Sequence, residues 1–133
     1  MNIKSAKELV AAANADIVTL SADDAVKLIH DPNVVFVDVR ETDKRRKTGT
    51  LKGAVHAPRG FLEFYADPDS PTHVKALSSG KRLVLYCASG NRSALAAKTL
   101  KSMGIPNVSH VAGGFPALLK AGSETEIVAS NGT

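Results

Sequence analysis

The sequence predicts an α/β protein with a central parallel sheet of about five strands and helices on both of its faces. Short apolar segments rich in branched residues alternate along the chain with segments of helical periodicity. Two of them, residues 34–39 and 82–86, are apolar at nearly every position, which is typical of strands buried on both faces of a parallel sheet. Successive parallel strands need crossover connections of one hand, and these place the helices over the sheet.

Each predicted element has a local cause in the sequence. Ser21 is a suitable cap for the second helix, and the acidic residues Asp23 and Asp24 suit its first turn. Pro32 cannot continue that helix and ends it. In chain order, the predicted elements are a helix at residues 5–13, a strand at 17–20, a helix at 21–29, a strand at 34–39, a helix at 41–47, a short strand at 54–57, a helix at 61–66, a weakly helical segment at 72–77, a strand at 82–86, a helix from 93 to about 104, a strand at 107–111 and a helix at 115–120.

The length of 133 residues predicts a single domain over residues 1–133. Within it we expect residues 1–16 to form an N-terminal helical extension and residues 123–133, which are mostly small and polar, to form a flexible tail. No apolar segment approaches the length of a membrane-spanning helix, and the N-terminus lacks the apolar core of a signal peptide. We therefore expect no membrane partner.

Cysteine content and charge narrow the function further. One cysteine cannot form an intramolecular disulfide, and a reactive thiol is best kept in a reducing compartment, which predicts a cytoplasmic protein. The net charge is +4, but the basic run at residues 44–47 stands beside Glu41 and Asp43 and contains no aromatic residue. The sequence therefore predicts no nucleic-acid partner, while the excess positive charge favours small anions.

Cys87 lies at the junction of a predicted strand and a predicted helix. The residues after it are small or polar, as a tight loop requires, and Ser93 is a suitable helix cap. The backbone N–H groups of such a loop favour an anion, so we expect a lowered thiol pKa and a nucleophile that faces a solvent-filled hollow. The alternative is a small core residue, which is the usual role of a lone cysteine.

Four residues separate Cys87 from Arg92, and this spacing distinguishes two chemistries. The signature of cysteine phosphatases has five residues between the cysteine and the arginine, and the longer loop is wide enough for a tetrahedral phosphate. The shorter loop is better suited to a single sulfur atom carried on the cysteine. Arg92 itself is well suited to binding the oxygens of an anionic donor, while an ion pair that shapes the loop is its structural alternative.

Several candidate residues follow predicted strands. In a parallel sheet covered by helices, ligands bind at the carboxyl ends of the strands. Asp38, Pro58, Cys87 and Gly113 all fall at such ends, so we expect them to lie along one edge of the sheet. Arg59 is at the same edge and is either a second contact for an anionic donor or a solvated side chain.

These residues resemble the rhodanese domain, specifically the single-domain sulfurtransferases. The resemblance extends from about Thr19 to Gly122, and the four motifs together in this order are specific, although each alone is weak. The motifs are Asp38-Val39-Arg40-Glu41, Gly53-Ala54-Val55-His56-Ala57-Pro58, Cys87-Ala88-Ser89-Gly90-Asn91-Arg92-Ser93 and Gly113-Gly114-Phe115.

The resemblance implies a rhodanese-like fold and a two-step transfer of sulfur. Cys87 would attack the outer sulfur of a small anionic donor such as thiosulfate and form a persulfide, from which cyanide, a thiol or a protein cysteine takes the sulfur. No metal or organic cofactor is implied. The residues expected to bind the substrate are Ala88, Ser89, Gly90, Asn91, Arg92, Ser93 and Arg59, with Asp38 and Arg40 as a supporting pair behind the loop.

Two other functions remain open from the sequence. One is a cysteine phosphatase or an enzyme like arsenate reductase, which also places a cysteine and an arginine between a strand and a helix. The other is a non-enzymatic regulatory module of the rhodanese-like fold, although such modules commonly lack the cysteine. His30 and His110 lie at element ends without metal-ligand spacing, and His56 is interpreted as a structural residue.

Overall fold

Residues 1–128 are described by the computed structural model of the chain. Their strands are β1 (Val18–Leu20), β2 (Val34–Asp38), β3 (Thr50–Leu51), β4 (Val55–His56), β5 (Arg82–Tyr86), β6 (Val108–Val111) and β7 (Thr125–Glu126). Five of these strands form one parallel sheet in the order β1-β6-β5-β2-β4. The strands β3 and β7 pair antiparallel in a separate ribbon.

Helices connect the strands of the main sheet. They are α1 (Ala6–Asp16), α2 (Ala22–Val26), α3 (Thr42–Thr48), α4 (Leu62–Ala66), α5 (Asn91–Ser102) and α6 (Gly114–Lys120), with short 3-10 helices at Arg59–Phe61 and Lys75–Ser78. The helices α4 and α5 pack on one face of the sheet, where α1 contacts α5, and α2 and α6 pack on the other. The predicted fold class, a five-stranded parallel sheet with helices on both faces, is confirmed.

Alternation along β5 divides the core into two clusters. Leu85 packs on the face covered by α5, together with Leu100. Val84 points to the opposite face, where it packs with Phe115 of α6. Because side chains alternate along a strand, Cys87 continues the row of Leu85 and enters the cluster under α5. The strand therefore delivers the thiol to the side of the sheet that carries the longest helix of the described residues.

The start of α5 differs from the sequence prediction. The helix begins at Asn91 rather than Ser93, and its cap is Gly90, with a φ of +101° in the left-handed region. Glycine allows this conformation at little cost, so the chain enters the helix two residues earlier than the serine suggested. Ser93 lies in the first turn, where its Oγ is 3.2 Å from the carbonyl oxygen of Gly90. The prediction of Ser93 as the helix cap is therefore wrong.

The ribbon of β3 and β7 was not predicted, because two-residue strands carry no detectable periodicity. The segment expected to form a flexible tail, residues 123–133, includes β7, and its last part, residues 129–133, lies outside the described residues. Near the N-terminus, α1 is capped by the hydroxyl of Ser5, which accepts the N–H of Glu8 at 3.0 Å. Within residues 1–128, the helices are all too short or too polar to traverse a lipid bilayer.

Candidate functional site

The segments that follow β2, β4, β5 and β6 meet at one edge of the sheet. Asp38 ends β2, and Cys87 follows β5 directly. The N–H of Arg59 donates to the carbonyl oxygen of Val39 at 3.1 Å, and the N–H of Phe115 donates to that of Cys87 at 2.8 Å. These bonds hold the neighbouring segments against residues 87–93, which we call the Cys87 loop.

The Cys87 loop surrounds its own sulfur atom with hydrogen-bond donors. The backbone N–H of Gly90 lies 3.0 Å from Sγ, and that of Ser93 lies 3.3 Å from it. The Oγ of Ser93 is 3.5 Å from Sγ. In the same loop, Ala88 and Arg92 are half-buried, whereas Ser89 and Asn91 are exposed. The loop thus places the sulfur at its centre, with two amide hydrogens directed at it.

Burial and hydrogen bonding act on the thiol in opposite directions. Burial raises the pKa of the Cys87 thiol, and hydrogen bonds from the Ser93 hydroxyl and from the backbone N–H groups of Ser93, Ser89 and Gly90 lower it. The hydrogen bonds prevail, so the pKa lies below the ordinary 9.0. Cys87 is 0% exposed, so the expected solvent-facing hollow is not observed: the tight loop closes over Sγ.

Two glycines allow this close packing. Gly90 presses against the segment after β6, and a Cβ there would lie 3.3 Å from the backbone nitrogen of Gly113. Gly114 has a φ of +64°, and a Cβ on it would lie 2.4 Å from the carbonyl oxygen of Cys87. Because that distance is far inside a normal contact, the position accepts a glycine but no larger residue without moving the Cys87 loop.

The two arginines proposed from the sequence to meet an anionic donor bind carboxylates instead. Arg92 donates to Oε2 of Glu41 at 2.5 Å, and this bond lowers the pKa of the Glu41 carboxyl. Arg59 donates to Oε1 of Glu63 at 3.0 Å and to the hydroxyl of Thr99 at 3.2 Å. Neither arginine donates one of the hydrogen bonds to Sγ described above, which come from the loop itself. Because Arg92 is bound to Glu41, an incoming anion would have to compete with Glu41 for it.

Asp38 and Arg40 form a buried, bidentate ion pair behind the Cys87 loop. The Nε of Arg40 donates to Oδ1 of Asp38 at 3.0 Å, and its NH2 donates to Oδ2 at 2.8 Å. The hydroxyls of Thr50 and Tyr86 also donate to Oδ2, at 2.9 and 3.1 Å. The guanidinium of Arg40 lies 4.1 Å from the ring centroid of Phe115, whose N–H holds the Cys87 carbonyl. The pair therefore supports the loop through Phe115.

A second buried arginine adds to the charge at this position. The Nε of Arg45 is 3.5 Å from Oδ2 of Asp38, and both Nε and NH1 of Arg45 are buried without a hydrogen bond. Burial raises the pKa of the Asp38 carboxyl, and the bonds and charge of Arg40 lower it, with a net lowering. One carboxylate therefore faces two guanidinium groups, and the buried site keeps a net positive charge.

Sequence reasoning missed the role of one residue beside the loop. His110 lies on β6 and is 2% exposed, and its Nδ1 is 3.0 Å from Oγ of Ser93. On its other side, Nε2 is 2.8 Å from Oδ1 of Asn14. No motif links these positions, because strand pairing and helix packing alone bring them together. The available signal was a titratable side chain inside a short strand that valines begin and end. No cluster of three or more acidic, histidine or cysteine side chains within residues 1–128 is arranged to bind a metal ion.

Comparison with known proteins agrees with the geometry of this site. The family described as "Rhodanese-like domain" matches residues 21–121. A yeast protein, the thiosulfate:glutathione sulfurtransferase of Saccharomyces cerevisiae, is 33% identical over 102 residues, which are 71% of this chain and 73% of the yeast protein. Several other curated relatives are tRNA uridine(34) hydroxylases, and the chain spans only about 28% of the length of the one from Mesorhizobium japonicum, at 34% identity over 66% of this chain.

Two solved structures are similar over nearly the whole chain. One is a protein of unknown function from Rhodopseudomonas palustris, described as a possible tyrosine phosphatase, with a TM-score of 0.89, 39% identity, and coverage of 95% of this chain and 97% of that one. The other is the polysulfide-sulfur transferase homodimer of Wolinella succinogenes, with a TM-score of 0.69, 31% identity, and coverage of 94% and 89%.

Proposed function

Because the chain belongs to the rhodanese-like domain family, we propose that it is a sulfurtransferase that carries sulfur from thiosulfate to a thiol or cyanide as a persulfide on Cys87. The observation that carries the proposal is the ring of donors around Sγ, with the N–H groups of Gly90 and Ser93 at 3.0 and 3.3 Å. Such donors stabilise a thiolate, and they also stabilise the negative charge of a persulfide. A cytoplasmic location is part of this proposal, because a reducing compartment keeps the single cysteine reactive.

The proposed chemistry has two steps. The Cys87 thiolate attacks the outer sulfur of thiosulfate, the sulfur–sulfur bond of the donor breaks, and sulfite leaves with the electron pair. The acceptor then attacks the outer sulfur of the persulfide, and the Cys87 thiolate departs. A thiol acceptor such as glutathione is supported by the similarity to the yeast thiosulfate:glutathione sulfurtransferase. No metal or organic cofactor takes part in these steps.

The donor must first reach a sulfur that has no exposed surface. We propose that the sulfonate end of the donor displaces Glu41 from Arg92, with Arg59 as a second cation at the same edge. Arg92 is suited to this exchange because its side chain is 39% exposed and lies within the Cys87 loop. Moving Arg92 or the loop would open the path to Sγ.

Intact-mass analysis tests the proposal. After exposure to thiosulfate, the protein is expected to gain the mass of one sulfur atom, and the gain should disappear when a thiol or cyanide is added. The variant Cys87→Ser should show no gain and no thiocyanate formation. Sulfur transfer at an undiminished rate by Cys87→Ser, or no mass gain with any sulfane donor, would contradict the proposed function.

Two substitutions with opposite expected effects on the KM for thiosulfate test the ion pair between Arg92 and Glu41. Arg92→Gln removes the cation and is expected to raise the KM for thiosulfate about tenfold, the equivalent of one charge-assisted hydrogen bond. Glu41→Gln releases the same guanidinium and is expected to lower that KM. Steady-state kinetics measure both, and equal changes in the same direction would show that the pair only shapes the loop.

A phosphatase is the second candidate, and the observation in its favour is the similarity to the Rhodopseudomonas palustris protein described as a possible tyrosine phosphatase. The short spacing between Cys87 and Arg92 argues against it, because a phosphoryl group needs a wider loop. Hydrolysis of an aryl phosphate that is lost in Cys87→Ser would favour this function over sulfur transfer.

A further inference from the structure

A chain of polar contacts leads from Cys87 to the surface. The Oγ of Ser93 lies 3.5 Å from Sγ of Cys87 and 3.0 Å from Nδ1 of His110. The other nitrogen of that ring, Nε2, lies 2.8 Å from Oδ1 of Asn14 and 3.1 Å from Oγ1 of Thr19. Cys87, Ser93 and His110 are buried, whereas Asn14 and Thr19 are exposed. The contacts therefore connect an enclosed sulfur to solvent at α1 and β1.

The contacts of Asn14 fix the tautomer of the imidazole. The side-chain carbonyl oxygen of Asn14, Oδ1, only accepts hydrogen bonds, and the hydroxyl of Thr19 donates to that same oxygen at 3.4 Å. Nε2 of His110 must therefore carry the hydrogen, which leaves Nδ1 as the acceptor in the neutral ring. Nδ1, at 3.0 Å, takes the hydroxyl hydrogen of Ser93 in preference to the more distant carbonyl oxygen of Gly90 at 3.2 Å, and a lone pair of that hydroxyl is then free to accept the S–H of Cys87.

We propose that His110 is the base that removes the thiol proton of Cys87, through Ser93, and that Asn14 and Thr19 hold its ring in the required tautomer. The thiol proton passes to Oγ while the proton of Ser93 passes to Nδ1. The products are a thiolate, a neutral hydroxyl and an imidazolium. When the acceptor removes the outer sulfur and the thiolate departs, the proton returns by the same route; this part rests on the proposed sulfur transfer.

Burial explains why such a route is needed. While the loop is closed, Cys87 has no exposed surface, and the hydroxyl in contact with its thiol is that of Ser93. Burial also lowers the pKa of His110 below 6.5, so the ring is neutral at pH 7 and able to accept a proton. Asn14 and Thr19 lie outside residues 21–121, so the N-terminal helix would contribute to the site from beyond the matched domain.

Charged side chains near the proposed relay are engaged in ion pairs, so the proton transfer is assigned to His110. Asp16 pairs with both Lys98 and Lys101, so its carboxylate is fully engaged and one positive charge remains over between α1 and α5. Arg92 is paired with Glu41 in the same way. The charged residues on the elements packed around Cys87 and His110 are Lys7, Glu8 and Asp16 of α1, Asp38 and Arg40 at the end of β2, Arg82 of β5, Arg92, Lys98 and Lys101 of α5, and Lys120 of α6.

The rate of alkylation of Cys87 by iodoacetamide, followed by intact mass across pH, tests the relay without any sulfur donor. His110→Asn keeps an acceptor near Nδ1 but cannot take up a proton. At pH 7 its alkylation is expected to be about a hundredfold slower, the lower end of what a positioned base contributes. Above pH 9.0, where the thiol ionises without a base, the two rates should converge. A deficit that persists at every pH, or no deficit at all, would overturn the relay.

Substitutions at Asn14 give a second test of the relay, and they should not disturb the packing of the core because the residue is exposed. Asn14→Asp should raise the basicity of the ring and speed alkylation at pH 7, and Asn14→Ala should slow it. Neither substitution should matter once Ser93→Ala has cut the connection; effects of equal size in that background would contradict the relay. Because no sulfur donor is present, a protein that shows these shifts but forms no persulfide from thiosulfate refutes the proposed function and not the relay.

Discussion

Asp38→Asn is expected to lower the free energy of unfolding by about 3–5 kcal/mol, because it leaves the buried guanidinium groups of Arg40 and Arg45 without a counter-charge. The side chains keep the same shape, so lost charge rather than lost volume causes the effect. Denaturant unfolding measures it. The matched control is Asp16→Asn, the same chemical change at an exposed ion pair, which should leave stability nearly unchanged. Similar losses from both variants would contradict the role given to the buried pair.

The same carboxylate predicts how stability depends on pH. The pKa of Asp38 in the folded protein lies below its ordinary 3.8, so the folded state favours the ionised form. The stability from Asp38 is therefore fully present above about pH 3.8 and is lost as the pH falls through the lower, folded pKa. In Asp38→Asn that acid-dependent loss should be smaller, and unfolding curves measured at a series of acidic pH values would show it.

Gly114→Ala is expected to reduce sulfur transfer at least about a hundredfold, because the new methyl group would displace the backbone of the Cys87 loop. The Cβ would lie 2.4 Å from the Cys87 carbonyl oxygen and 2.8 Å from the carbonyl carbon of Ala88. Both neighbours are backbone atoms, so no side-chain rotation relieves the clash. Persulfide formation from thiosulfate under single-turnover conditions is the measurement.

Gly53→Ala separates this clash from backbone strain. Gly53 has a φ of +81°, similar to that of Gly114, but no atom lies within 4 Å of a Cβ built there. The substitution therefore imposes the left-handed conformation on alanine, at a cost of about 1–2 kcal/mol, without touching the Cys87 loop. It should lose some stability and keep full activity. If Gly53→Ala lost activity as Gly114→Ala does, strain alone would explain both.

The fold could be predicted from the sequence because its main signals are local. The apolar run of β2 and the strand, loop and helix around Cys87 identify the sheet and its reactive edge without any long-range information. The helix start was misplaced because Ser93 resembles a cap, whereas a left-handed Gly90 leaves no pattern of its own. Local sequence signals therefore predict which helices and strands form more accurately than they predict the residues at which those elements begin and end.

The parts of the site that could not be predicted depend on residues distant in sequence. Thr50 and Tyr86 reach Asp38 from 12 and 48 positions away, and His110 reaches Ser93 from 17. The thiol was expected to face solvent, yet it is enclosed, because exposure depends on how closely Gly90 and Gly114 let neighbouring segments approach. Such distances become fixed only when the whole sheet is assembled.

The small ribbon of β3 and β7 covers the side of the Asp38–Arg40 ion pair that opens most easily to solvent. Thr50, which donates to Asp38, is paired with Glu126, and both residues of β7 are exposed. Because the two residues of β7 are exposed, β7 separates from β3 at a low cost in free energy. This local opening would free the segment that carries Thr50. The N–H of Lys52 donates to the carbonyl oxygen of Glu124 at 3.1 Å, so its amide hydrogen exchange should accordingly be faster than that of β5. Protons from an acidic medium would then reach the buried ion pair from the side of this ribbon rather than from the side of Cys87.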